Sequence, residues 1–441
     1  MYILTMTIQI LNWNSASDEE KEVLLQRPAL RADRNLHDKV RTIVSDVRDG
    51  GDNVLRDLTQ KFDHVEIECL RVSTEEFQRA EQELSPDQLG AIDLAIRNVR
   101  RFHEAQLPVP ISIETMPGVQ CERISHAIDA VGLYVPAGTA PLPSAAIMLA
   151  VPATIAGCPV KILCTPPRPD GRADSAVLVA AKRAGVDTAF KVGGAQAIAA
   201  MAYGTESVPR VAKIFGPGNT WVTEAKTQVA SDPLGAAIDM PAGPSEVLVI
   251  ADDQANAEFV AADLLSQAEH GMDSQVLLLA FSNQFAENVA REIDAQLATL
   301  KREAIARQAI ENSRVIVVEG VTAAIQINNR YAPEHLIMHI ANARDVLADI
   351  RNAGSIFLGP WSPESAGDYC SGTNHVLPTY GHARSFSGLG LDQFMRQMSV
   401  QELSRNGLQN IGKAIIDLAG LEGLDAHAAA VERRLATLEH E

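Results

Sequence analysis

From Ala130 onward the chain alternates short apolar runs with helical stretches, and this alternation limits its fold more than any other feature. The runs are VGLYV (131–135), VKILC (160–164), TAFKV (188–192), VAKIF (211–215), AAIDM (236–240), EVLVIA (246–251), QVLLLA (275–280), RVIVVE (314–319), HLIMHI (335–340) and GSIFLG (354–359). Runs without polar alternation suit strands buried on both faces, and the helical patterns between them supply the crossovers of parallel sheets. Ten runs exceed one typical sheet, so two α/β lobes are expected. Aromatic residues make up only 5% of the chain, whereas Ala, Val, Ile and Leu abound, as buried parallel strands under Ala-rich helices require.

Flanking segments read differently. Leu36–Phe62 and Asp87–Phe102 repeat apolar residues at helical spacing, so residues 17–105 are expected to be mostly helical. The stretch 107–127, which contains LPVPISIETMPG, reads as an extended connection. Residues 386–441 lack a strand signal. QELSRNGLQNIGKAIIDLAG and AHAAAVERRLATLEH are amphipathic helices that could pack on their own chain or on a partner.

Charge and cysteine usage exclude several classes. A formal charge of −18 repels phosphate backbones and anionic lipid. No apolar run approaches the ~20 residues of a membrane helix. The start, MYILTMTIQILNWNSASDEE, has neither a basic n-region nor a small-residue cleavage site. Cys69, Cys121, Cys158, Cys164 and Cys370 are odd in number and form no C-x-x-C pair, which argues against a disulfide framework or a thiolate zinc site. A cytoplasmic setting is expected.

Six segments offer chemistry. DLLSQAEHG (263–271) places Gln267 and His270 three apart at a helix end, where an amide oxygen and an imidazole can both bind Zn²⁺; taken alone, the pattern more often marks a solvated helix end. YAPEHLIMH (331–339) places Glu334 and His335 at a proline-fixed strand start, a corner able to aim two proton-transfer groups at one site, or else an exposed pair. SPESAGDYCSGTNH (362–375) offers Asp368 as a carboxylate ligand and His375 as a ligand or loop hydrogen-bonding group. Because it follows a strand, the usual placement of α/β sites at carboxyl ends applies to it. VGGAQA (192–197) and FGPGNTW (215–221) are glycine turns that lead into helices and present N–H groups to an anion, but neither is G-x-G-x-x-G. IDMPAGPSEVLV (238–249) holds Ser245, which suits substrate hydrogen bonding better than nucleophilic attack because no elbow motif surrounds it. Cys158 and Cys164 flank and end an apolar run, which favours inert thiols.

Taken in order, VGLYVPAG, VGGAQAIAA, KIFGPGN, AAIDMPAGPSEVLVIAD, DLLSQAEHG, APEHLI and SPESAGDYCSGTNHVLPT closely resemble the histidinol dehydrogenase family from about residue 130 to 380. The resemblance implies zinc ligands at Gln267, His270 and Asp368, with His427 supplied by the other subunit of a homodimer. It implies that substrate, L-histidinol, meets Ser245, Gln267, His270, His335, Asp368, Glu422 and His427. Proton transfer falls to Glu334 and His335, and NAD contacts to Tyr134, Gln196 and Asn219. The fold expected on these grounds is α/β, with two Rossmann-like, parallel-rich lobes, a helical N-terminal region and a helical C-terminal arm. Its expected parts are an N-terminal arm (1–30), a first lobe carrying the metal site (31–135 with 240–385), a second lobe binding NAD (136–239) and an arm (386–441) packed on the partner. The reaction implied is NAD-dependent oxidation of the alcohol through its aldehyde to histidine. A zinc hydrolase and a non-enzymatic two-lobed binding protein are the competing classes; the first would act without nicotinamide, and the second leaves the Glu334–His335 corner without a purpose.

Overall fold

The structure is a computed structural model that describes residues 8–28, 35–137, 140–241 and 243–439. Each of the ten apolar runs contributes a strand, and all ten join parallel sheets. Ala189–Lys191, Val160–Thr165, Ala130–Tyr134, Lys213–Phe215 and Ala237–Ile238 form a five-stranded sheet in that spatial order. Arg314–Val317, Gln275–Ala280, Glu246–Ala251, His335–His339 and Ser355–Leu358 form the second, which gains a sixth edge strand, Gln9–Asn12, from the N-terminal segment. The fold is α/β with parallel-rich sheets, as the alternation requires.

Three features depart from the sequence reading. Residues 111–127 are a hairpin, Ile111–Met116 and Val119–Ala127, rather than a plain connection. The C-terminal arm contributes a third antiparallel strand to that hairpin, Met395–Leu403, ahead of its helices Arg405–Leu421 and Asp425–Glu439. This small sheet is mostly exposed, so it lacks the one-sided burial that makes strand alternation conspicuous. The third departure concerns the helices within 36–104, grouped above with residues 240–385. They pack instead on the five-stranded sheet: Val40, Val47 and Leu55 meet Ile162, Cys164 and Phe190, while Ile96 and Val99 meet the helix Pro143–Ile155. Apolar stripes at helical spacing show which face of a helix is buried, but not which of two sheets buries it.

Candidate active site

Both parallel sheets are doubly wound, and each reverses its strand order once. The reversal lies between Ala130–Tyr134 and Lys213–Phe215 in one sheet and between Glu246–Ala251 and His335–His339 in the other. Adjacent crossovers leave on opposite faces at such a point and open a crevice. The five-stranded sheet meets the crevice at carboxyl ends, through Gly216, Pro217 and Asp239. The six-stranded sheet meets it at amino ends, where Ser245 precedes one central strand and His335 opens the other. The carboxyl-end expectation therefore holds for one sheet only. The cause is covalent: in the sequence only residues 239–245 separate the last strand of the first sheet from the central strand of the second.

This connector is fixed at its start. Asp239 and Lys226 form a buried ion pair. Asp239 also accepts the Gly216 N–H at 2.8 Å, and Lys226 Nζ donates to the Gly216 carbonyl at 2.9 Å. Gly216 has φ 122°, and a Cβ there would overlap the Tyr134 carbonyl, so only glycine closes this turn.

Six residues singled out in the sequence meet in one cleft of about 110 Å³: Ser245, Gln267, His270, Glu334, His335 and Asp368. His375, left above between two roles, lines it too. Glu334 and His335 are both buried. The backbone of Glu246 holds the two together, its N–H donating to Glu334 Oε2 at 2.9 Å and its carbonyl lying 3.2 Å from His335 Nδ1. A proton on Nδ1 satisfies that carbonyl and leaves the lone pair on Nε2, which has no hydrogen-bond partner among the described residues and lies 3.8 Å from Asp368 Oδ1. Burial lowers the His335 pKa to about 4, so the ring is neutral near pH 7 and can accept a proton. Burial drives Glu334 the opposite way, well above the usual carboxylate range, and the charges of Glu246 and Asp368 add to the effect.

A second cluster adjoins this pair. The helix Ala257–Ala268 delivers Gln267, and His270 lies just past its end. The helix Glu364–Tyr369 delivers Glu364 and Asp368 one turn apart. Candidate ligand atoms of His270, Glu364 and Asp368 all lie within 4.8 Å of one another. Glu364 was not singled out above, although the E-x-x-x-D spacing in PESAGD carries its signal. Burial, with Asp368 and Glu334 nearby, holds Glu364 well above its ordinary pKa. The Gln267 amide lies against this carboxylate and, with its nitrogen turned toward it, donates to Glu364. The buried Glu364 and partly buried Asp368, drawn together with an amide and the imidazole of His270, form a donor set of the N and O type that Zn²⁺ accepts. Asp263, a turn before Gln267, takes a 2.8 Å hydrogen bond from His339 Nε2 and ties this helix to the strand of His335.

The other residues lie elsewhere. Tyr134 ends its strand, and its hydroxyl accepts the Gly194 N–H at 3.0 Å. Gln196 is buried in the helix Gly194–Tyr203. Asn219 caps the helix Thr220–Ser231 through the N–H groups of Trp221 and Val222. All three sit at the carboxyl end of the five-stranded sheet, and none lines the cleft. Glu422 and His427 are exposed at the joint between the two C-terminal helices and do not line the cleft of their own chain. Cys158 and Cys164 are buried, and burial pushes the Cys164 thiol up to about 12; no cysteine lines the cleft among the described residues.

Known proteins resemble this chain over nearly its whole length. The family model for histidinol dehydrogenase matches residues 25–435. Histidinol dehydrogenase of Vibrio parahaemolyticus is 53% identical over 97% of this chain and 98% of its own length. The enzyme of that name from Yersinia pestis is 51% identical over 98% of this chain and 96% of its own length. The crystal structure of histidinol dehydrogenase from Elizabethkingia anophelis superposes with a TM-score of 0.94 at 45% identity, covering 98% of this chain and 99% of that one. With a matching family model, relatives aligned over nearly their whole length and a fold shared throughout, the chain belongs to the histidinol dehydrogenase family, oxidoreductases of histidine biosynthesis.

Proposed function

We propose that the chain oxidises L-histidinol through L-histidinal to L-histidine, passing a hydride to NAD in each of two steps, with zinc positioning the substrate. The observation that carries this reading is the convergence of Glu334 and His335 with Gln267, His270 and Asp368 on one cleft between two sheets. In the first step His335 Nε2 takes the hydroxyl proton as the carbinol C–H pair leaves for the nicotinamide ring, and a C=O bond forms. In the second, Glu334 takes a proton from the water that adds to the aldehyde, and the hydrate so formed gives a second hydride to a second NAD and a hydroxyl proton to His335, which leaves the acid that ionises to the carboxylate. Ser245 at the cleft edge supplies a substrate hydrogen bond.

Gln267, His270 and Asp368, with His427 of a second copy, are the residues that would hold zinc. When bound there, zinc orients the imidazole and amine nitrogens of the substrate and carries no electrons itself. Tyr134, Gln196 and Asn219 surround the glycine turns at the carboxyl ends of the five-stranded sheet, where helix N-termini favour a pyrophosphate. All five cysteines are free, in keeping with a cytoplasmic setting, and no helix among the described residues is long and apolar enough to cross a membrane.

Replacing Glu334 by Gln tests the division of labour. It should slow oxidation of the aldehyde at least about tenfold more than that of the alcohol, since only the second step needs activated water. Equal losses from the two starting compounds would remove Glu334 from that role.

The C-terminal helices fit a swapped arm in a homodimer. Leu418 and Leu421 are 60% and 85% exposed, and Ile113 of the small sheet is 55% exposed, which is apolar surface a second subunit would cover. Subunit mixing tests this reading. In a His335→Gln/His427→Asn heterodimer the arms rebuild one intact site only if His427 acts across the interface. Two separately inactive variants, unfolded and refolded together, should then recover about a quarter of wild-type activity. No recovery, with mixed dimers demonstrated by mass, would place His427 in its own chain's site or in none.

A further inference from the structure

Glu334 and His335 both depend on Glu246. Its backbone N–H and carbonyl meet Glu334 Oε2 and His335 Nδ1, as described above. Its side chain is also sequestered, at 1% exposure, and meets a network that no motif marks. Glu246 Oε1 accepts the Glu334 N–H at 3.2 Å. Arg27, from the N-terminal segment, forks onto the same carboxylate, with Nε 2.5 Å from Oε2 and Nη2 2.8 Å from Oε1. Nη2 also donates to the Tyr331 carbonyl at 2.9 Å, and the guanidinium lies 4.0 Å above the Tyr331 ring. The Tyr331 hydroxyl is 2.7 Å from Gln275 Oε1 and 3.2 Å from Glu246 Oε2. Gln275 Nε2 returns to the Gln26 carbonyl at 3.1 Å, closing the circuit on the N-terminal segment.

The strands do not need this circuit to stay paired. Glu246–Ala251 is laddered to a neighbour on each side. A buried ion pair is also a poor source of net stability, because desolvation offsets much of its attraction. What a planar fork gives is orientation, since two parallel charge-assisted bonds fix a carboxylate in direction as well as position. We infer that Arg27 and Glu246 are positioning residues for the oxidation: the fork holds the Glu246 peptide groups so that the side chains of Glu334 and His335 stay aimed into the cleft.

The inference rests on the assignment of Glu334 and His335 as the proton-transfer pair, and the experiment separates the two. Arg27→Met, Arg27→Lys and Glu246→Gln are compared with His335→Gln by NADH formation from histidinol, zinc content and melting temperature. Arg27→Met should lower kcat about 10- to 100-fold, the scale of a sub-ångström to ångström misplacement, with KM and zinc content unchanged. Arg27→Lys keeps the charge without the fork and should recover only part of that loss, while Glu246→Gln keeps the shape without the charge and should lose kcat less than Arg27→Met. If Arg27→Met fails to fold, the other two decide. Wild-type kcat in soluble Arg27→Lys and Glu246→Gln, with only a lower melting temperature, would make the circuit purely structural and overturn the inference. Wild-type kcat in His335→Gln would instead overturn the assignment beneath it.

Discussion

His335→Gln lowers kcat for histidinol oxidation by roughly 10²- to 10⁴-fold, the range a lost general base costs, while zinc content stays at the wild-type level. Three features of the site set this expectation. The Glu246 carbonyl takes the Nδ1 side of the ring, so the basic nitrogen is Nε2. Nε2 is buried with no hydrogen-bond partner among the described residues, so its hydrogen-bonding capacity is left for substrate. Burial keeps the ring neutral down to about pH 4, so nearly every molecule holds the base form near pH 7. Glutamine fills a similar volume and can still hydrogen-bond, so a large loss in kcat with little change in KM reports proton transfer and not packing. A loss smaller than about tenfold would remove His335 as the base.

Asp368→Asn abolishes zinc retention and, with it, activity. The substitution keeps the shape of the side chain and removes one of the three carboxylates clustered with the imidazoles of His270, His335 and His375. Loss of an outer hydrogen-bond partner already costs metal affinity about 10- to 100-fold, so loss of a ligand should cost more. Stability adds a second signature. Without metal, burial holds Glu364 and Glu334 above their ordinary pKa values and the nearby Asp368 adds to the effect, so a carboxylate at 368 works against the fold. The metal-free variant should therefore melt no lower than metal-free wild type. Zinc at about 1,000 times its dissociation constant should add about 4 kcal/mol to wild type and far less to the variant. Equal zinc stabilisation of both proteins would show that Asp368 is not a ligand.

The sequence told most about the parallel sheets. Their strands are buried on both faces, and uninterrupted runs such as QVLLLA have few other uses. It told least where burial is one-sided or missing. Met395–Leu403 is exposed along nearly its whole length, so nothing in its pattern marks it as a strand beside the helices that follow. At the cleft, residues next to a helix end or a proline corner stood out: Gln267, His270, Glu334 and His335. Glu364 did not, because a Glu in the first turn of a helix is also the commonest favourable dipole partner. Arg27 could not be linked to Glu246 by any spacing rule. The two are brought together by the edge strand Gln9–Asn12, which ties the N-terminal segment to the six-stranded sheet. That the cleft uses amino ends of that sheet followed only from the placing of Ala237–Ile238 in one sheet and Glu246–Ala251 in the other, a tertiary fact absent from strand patterns.

The convergence of distant polar side chains on one substrate-gripping cation beside a nicotinamide is tested most directly by counting NADH formed from a limiting amount of L-histidinol. The count is made with zinc-loaded protein, after chelation, and after zinc is returned. The expected result is two NADH for each histidinol with zinc, essentially none after chelation, and two again on reconstitution. An undiminished yield from demonstrably zinc-free protein, or histidinol left unoxidised by the loaded enzyme in the presence of NAD, would contradict it.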